Sequence, residues 1–148
     1  SVCFSKGLGC PVGSPLLSSK EGINKALRFR KVFGGGMRQS GYLAAAARYA
    51  LKHHRKDLRK DHLRASELAS VLQQSNFVAR VEPVETNIVI FALKSEFGEQ
   101  DFIQRMKALG ILMIALGRGK LRLVTHRDYT DEQHQYVLTT LTKLNTND

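Results

Sequence analysis

The spacing of apolar residues changes once along the chain, near Ser75-Asn76, and this change restricts the fold more than any other feature. Upstream, Leu58, Ala65, Ala69 and Leu72 fall on one helical stripe. Downstream, Phe77, Ala79 and Val81 alternate with Val78 and Arg80, the two-residue period of a half-buried strand. A helical segment followed by a mixture of strands and helices excludes both an all-helical bundle and a β-sandwich. It calls for helices layered on a sheet.

Local signals fill in the elements. Ser1–Ser5 is short and apolar and is expected as a buried strand. From Gly7 to Pro15, three glycines and two prolines predict a loop. Ser18-Ser-Lys-Glu21 reads as a capping box opening a helix, with Ile23 and Leu27 at i, i+4 and a stop at Gly34-Gly35-Gly36. Met37 to about His54 reads as a second helix, because Ala44–Ala47 are strong helix formers, and Arg55 to Gln74 continues helical. Pro83 separates the strand at Phe77–Val81 from a second at Asn87–Leu93. Phe102, Met106 and Leu109 predict a helix ended by Gly110. Ile111–Leu116 and Leu121–Thr125 are expected as strands joined by a hairpin turn at Gly117-Arg-Gly-Lys120. Thr130-Asp-Glu-Gln133 is a second capping box, leading a helix with Val137, Leu141 and Leu144. The expected organisation is therefore two units, residues 1–74 and 75–148. The lone first strand cannot satisfy its own backbone, so its partners are expected outside these 148 residues.

Charge follows the same division. Residues 1–74 hold 14 Lys/Arg against 4 Asp/Glu, and residues 75–148 hold 9 against 9, so the whole net charge of +10 sits in the first part. Such an excess suits nucleic acid, an anionic membrane surface or a phosphorylated ligand. The densest basic run, Lys52 to Arg64, contains Asp57 and Asp61 at helical pairing distance, and no aromatic residue is interleaved, so it reads as a solvated face rather than a nucleic-acid module. At 43% hydrophobic residues the chain is not a disordered tail, and no apolar run reaches the roughly 18 residues of a membrane span. No secretory signal is expected. Two cysteines, Cys3 and Cys10, are too few for a disulfide scaffold and favour a reducing, cytoplasmic setting.

Three segments carry candidate chemistry. Lys6 stands at a strand end before Gly7 and Gly9, where backbone can approach a ligand closely and an amine of lowered pKa can form a Schiff base. Arg30, Lys31 and Arg38 flank Gly34–Gly36 before a helix start, a setting for phosphate or carboxylate. Arg122 alternates with Leu121 and Leu123, so it faces away from them and can meet a carboxylate with two hydrogen bonds. Adjacent His53 and His54 cannot share a helix face, and no metal site is expected. A dinucleotide fingerprint and a nucleophile elbow are both missing.

Together these segments resemble the L-threonine aldolases, of the β-eliminating lyase group of pyridoxal-phosphate enzymes. Four stretches carry the likeness in order: Ser1-Val-Cys-Phe-Ser-Lys6-Gly-Leu-Gly-Cys-Pro-Val-Gly-Ser14; Arg30-Lys31 with Gly34-Gly-Gly-Met-Arg38-Gln39, Gly41 and Ala44–Ala46; Thr86-Asn87-Ile-Val89; and Arg122-Leu-Val-Thr-His126 with Asp128. The resemblance implies an α/β chain: the end of an aminotransferase-like large domain over 1–74, then a small α+β domain over 75–148. It implies pyridoxal 5'-phosphate as cofactor, held on Lys6, with Lys31 and Arg38 serving its phosphate and Arg122 clamping the substrate carboxylate. It implies retro-aldol cleavage of L-threonine or L-allo-threonine to glycine and acetaldehyde in a homo-oligomer, dimer or tetramer, with shared active sites. The partner is then a small amino acid, with neither nucleic acid nor membrane. Cys10 departs from an expected alanine, and Gly117–Lys120 is more basic than usual. The acidic partner of the cofactor ring, its stacking histidine and much of the phosphate cup fall outside this sequence. The chain then reads as the C-terminal portion of a subunit, inactive alone. The alternatives are an incomplete piece needing a partner chain, or a basic nucleic-acid-binding module.

Overall fold

The computed structural model describes residues 1–145, which divide into two compact units, residues 1–56 and 57–145. The division falls earlier than the change in apolar period, because the helix of residues 58–73 packs with the strands that follow it.

The first unit holds a loop and two helices. Ser1–Ser5 is not a strand: Val2 N–H donates to the Pro15 carbonyl at 3.1 Å and Phe4 N–H to that of Gly13 at 2.8 Å. Pro15 has no N–H to return the first bond, and the Phe4 carbonyl that would take the second accepts from Cys10 N–H, so the pairing does not become a ladder. Helix α1 is Lys20–Val32, capped by Ser19 rather than Ser18, with the Ser19 hydroxyl accepting from Gly22 N–H at 3.2 Å. Gly34 closes α1 with φ +78°. Helix α2 is Gly41–His53, starting later than the expected Met37, because Gln39 at φ +50° lies outside the right-handed helical region. Its Ala47 and Ala50 are buried, as are Leu8 and Cys10, whereas α1 buries none of its residues.

The second unit is a two-layer α+β structure. Helix α3 is Leu58–Gln73, followed by strands β1 (Val78–Val81) and β2 (Ile88–Leu93), helix α4 (Glu99–Ala108), strands β3 (Ile114–Gly117) and β4 (Lys120–Val124), and helix α5 (Asp131–Leu144). The sheet is antiparallel throughout, in the order β1-β2-β4-β3. β3 starts three residues into the expected strand. Leu109, Gly110 and Ile111 instead turn back on α4, Ile111 N–H donating to the Met106 carbonyl at 2.9 Å. The β3–β4 turn places Arg118 and Gly119 at φ +55° and +73°, the paired positive angles of a two-residue hairpin loop. At Thr130 the capping box is complete, with Gln133 N–H on the threonine hydroxyl and the Gln133 side chain on Thr130 N–H.

Strand alternation separates the two faces of this sheet. Val89, Phe91, Leu121 and Leu123 point into a core shared with Leu68 and Leu72 of α3, Phe102 and Met106 of α4, and Val137 and Leu141 of α5. The opposite face carries Ile88, Ile114, Leu116 and Val124, all exposed. Among the described residues, no helix is long and apolar enough to cross a membrane.

Candidate functional site

In the first unit, the candidate lysine stands on a turn braced from behind. Gly9 N–H donates to the Lys6 carbonyl at 2.8 Å and Cys10 N–H to that of Phe4 at 3.0 Å, with Gly9 in the left-handed region at φ +69°. Leu8 and Cys10 are buried, while Lys6 is exposed and joins no ion pair among the described residues. Two bonds fix the loop to α2 and its end: His54 Nδ1 lies 2.8 Å from the Leu8 carbonyl oxygen, and the Cys10 thiol donates to the Ala46 carbonyl at 3.7 Å. The departure at Cys10 therefore supplies a donor that alanine lacks. Neither cysteine is in a disulfide. The Ser5 and Ser14 hydroxyls lower the pKa of the exposed Cys3 thiol, Ser5 most strongly.

The glycine triad is shaped by the end of α1. A Cβ on Gly35 would fall 2.6 Å from Arg30 Cγ and 2.9 Å from the Arg30 carbonyl oxygen. One on Gly36 would fall 3.0 Å from Lys31 Nζ. Glycine at these positions lets the two basic side chains fold back along the loop ahead of α2. Lys31 thus reaches the segment that carries Arg38, and both are exposed and outside any ion pair among the described residues.

In the second unit, Arg122 occupies the middle of the uncovered sheet face. Register pairs it with Ile90 of β2 on one side and Ile114 of β3 on the other. The arginine stem lies between these two side chains, and its Nε is buried with no hydrogen-bond partner. An enclosed guanidinium nitrogen without a partner gains more from a carboxylate than a fully solvated one does. Two bonds hold the strand end beside it: Asn87 Nδ2 donates to the Thr125 carbonyl at 2.6 Å, and the Thr125 hydroxyl to the Asp61 carbonyl at 2.7 Å. His54, Asn87 and Thr125 were not singled out as site residues. Their contacts span 46, 38 and 64 positions of sequence, and no local pattern announces such bonds.

Several other charged groups of this unit serve its architecture. Arg64 of α3 is buried, donates to the Tyr129 carbonyl and to Asp131 Oδ1 (2.6 Å), and lies 5.4 Å from the Tyr129 ring centre. Lys60 bonds the other Asp131 oxygen at 2.7 Å, and the two cations hold that carboxyl down to about 2, Lys60 contributing most. Burial pushes the Tyr129 phenol up to about 12. His134 is buried, with Nε2 2.6 Å from Glu67 and Nδ1 3.2 Å from the Tyr129 hydroxyl.

Known proteins place this arrangement in context. A low specificity L-threonine aldolase of Escherichia coli is 43% identical over 133 residues, 90% of this chain and 38% of that protein. A probable low-specificity L-threonine aldolase of Arabidopsis thaliana is 38% identical over 147 residues, 97% of this chain and 41% of that protein. The chain thus spans about two fifths of the length of these relatives. Among solved structures, a decarboxylase from Sulfurospirillum multivorans superposes with a TM-score of 0.61 at 16% identity, over 87% of this chain and 38% of its own. An N-acetylornithine aminotransferase from Stenotrophomonas maltophilia gives 0.53 at 22% identity, over 68% of this chain and 30% of its own. The aminotransferase-like fold expected from the sequence is the fold these neighbours share. A model of the beta-eliminating lyases matches residues 1–96, which take in the lysine turn, the glycine triad, α3 and the first two strands, and the chain belongs to that family.

Proposed function

We propose that this sequence forms the C-terminal portion of a subunit that cleaves L-threonine and L-allo-threonine to glycine and acetaldehyde with pyridoxal 5'-phosphate. The observation that carries the reading is Arg122, whose buried Nε has no partner within an otherwise apolar row of the sheet. The donor set also fits the cofactor: an amine outside any ion pair on a braced turn, and Lys31 and Arg38 flanking a glycine loop along which the Arg30 stem and the Lys31 amine fold back. When bound, the cofactor supplies an electron sink for the breaking carbon–carbon bond. The residues of this chain bind and orient. Lys6 holds the cofactor by its amine. Lys31 and Arg38 neutralise the phosphate. Arg122 takes the substrate carboxylate, with the aliphatic side chains of Ile90 and Ile114 on either side of its position in the sheet. No residue of this chain is assigned as the base for the substrate hydroxyl.

The proposal extends to the assembly: a cytoplasmic homo-oligomer, dimer or tetramer, with shared sites and a role in glycine supply. The isolated chain is expected to show little or no turnover. A piece that depends on a partner chain is favoured by the exposed apolar residues of the first unit, Phe29, Val32, Phe33 and Met37 among them. Borohydride reduction of the complete subunit with pyridoxal phosphate, followed by peptide mapping, tests the reading. Label on Lys6 is expected, and label on another lysine, or none, overturns it. In the same subunit, Arg122→Lys is expected to raise KM for threonine by about tenfold or more, since a lysine cannot reproduce the two-pronged contact.

A further inference from the structure

A second polar cleft lies in the second unit, between the start of α3 and the segment leading into α5. It has a volume of about 400 Å³, and its charged lining is Asp57, Lys60, Asp61, Arg64, Arg127, Asp128, Asp131 and Glu132. Five carboxylates against three cations leave a formal charge of −2. The cations are already engaged: Lys60 and Arg64 with Asp131, and Arg127 with Asp57. Asp61, Asp128 and Glu132 face no cation at ion-pair distance among the described residues.

Asp61 is the unusual member. It is 3% exposed and lines the cleft, yet its carboxylate accepts no hydrogen bond among the described residues. Only its backbone carbonyl is used, by the Thr125 hydroxyl. Burial raises its pKa, while Arg64, His126 and His62 act against that rise from a distance. Its carboxylate oxygens are not fully enclosed and open onto the cleft, so a charged N–H donor entering there can hydrogen-bond to them. The lining charge rejects anions. Among the described residues no three acidic, histidine or cysteine groups converge as metal ligands. The cleft is far larger than a bare ion, and its carboxylate lacks N–H donors in particular.

We propose that this cleft binds a small primary ammonium compound, its N–H groups on the Asp61 carboxylate and its charge balanced by Asp128 and Glu132. None of these residues is assigned to the aldolase site, so the proposal stands apart from that reading. The test is a titration of the 148-residue chain with ethylammonium chloride, followed by amide resonances in two-dimensional NMR. Saturable shifts at Asp61, Tyr129 and Thr130 are expected, with no saturable response to potassium chloride or tetramethylammonium chloride. No saturable shift, or an equal response to either control, overturns the proposal. Asp61→Asn is expected to weaken binding at least about tenfold, the loss of one charge-assisted hydrogen bond. Should that variant not fold, Asp128→Asn/Glu132→Gln, both at exposed positions, carries the test. It is expected to weaken binding about threefold through lost charge. Unchanged affinity in a folded variant of either kind overturns the site.

Discussion

Residues 1–56 and 57–145 are ordered by different means. The second unit has a core of seventeen buried apolar residues drawn from its three helices, from β1, β2 and β4, and from the segments beside them, with Ala115 of β3 packed against it. The first buries only Leu8, Cys10, Ala47 and Ala50 among its described residues, while Phe33 is 84% exposed and Tyr42 89%. Charge divides at the same place: residues 1–56 hold eleven Lys/Arg against the single acid Glu21, and residues 57–148 hold twelve against twelve. The second unit therefore has what an independent domain needs, an enclosed core and balanced charge. The first has helices whose apolar residues are uncovered, so its stability depends on what covers them.

The largest expected effect comes from the two interiors. Leu72→Ala, at a fully buried position of α3, should cost about 2–5 kcal/mol, enough to unfold much of the second unit. Phe33→Ala should change stability by about 0.5 kcal/mol or less, because the ring has little packing to lose. Urea unfolding followed by circular dichroism compares them. A large cost at Phe33 would show that the first unit has a core of its own, and the contrast would fail.

Capping sharpens the comparison with matched chemistry. Ser19 and Thr130 each accept a backbone N–H at 3.2 Å. Thr130→Ala should lower the stability of the second unit by about 1 kcal/mol, because α5 is tied to the core. Ser19→Ala should instead fray α1 alone, visible as faster amide exchange across residues 20–32 with the main unfolding midpoint unmoved. A shift of that midpoint would show that α1 is coupled to the cooperative core.

The smallest effect is electrostatic. Asp131 has a folded pKa of about 2, below its ordinary value, so its contribution is full above about 4. It is lost as pH falls through about 2. Asp61 runs the other way: its raised pKa makes the folded state hold a proton more tightly, and its contribution declines as pH rises through that value. Acid titration of stability should therefore lose its lowest-pH step in Asp131→Asn and its opposing slope in Asp61→Asn. A profile unchanged in Asp131→Asn would mean that the pairs of Asp131 with Lys60 and Arg64 together contribute nothing measurable.

Most elements were legible in the sequence because their causes are local. The Thr130 capping box, the Gly117–Lys120 turn and the alternation around Arg122 each lie within a few residues, and each stands in the structure as the residue types require. The first five residues misled because an apolar run also suits a loop that folds back on itself, and Pro15 prevents the return bond a strand requires. The expected organisation separated α3 from the sheet on the basis of period alone. The packing of Leu68 and Leu72 against the strands is a long-range fact that periodicity does not contain.

The proposed site divides along the same line. Lys6, Lys31, Arg38 and Arg122 could be picked out from residue type, spacing and resemblance. Residue types and spacing alone determined a mixed helix-and-sheet chain with its excess charge in the first part, since short-range conformational preference and composition are properties of the chain itself. Only the tertiary structure decided that Arg122 lies between two isoleucines with an unpaired nitrogen, that His54 anchors the lysine turn, and that Asp61 is buried beside a charged cleft. Burial and unmet hydrogen bonds are set by which distant segments meet, and the free energy of those meetings is shared across the whole core.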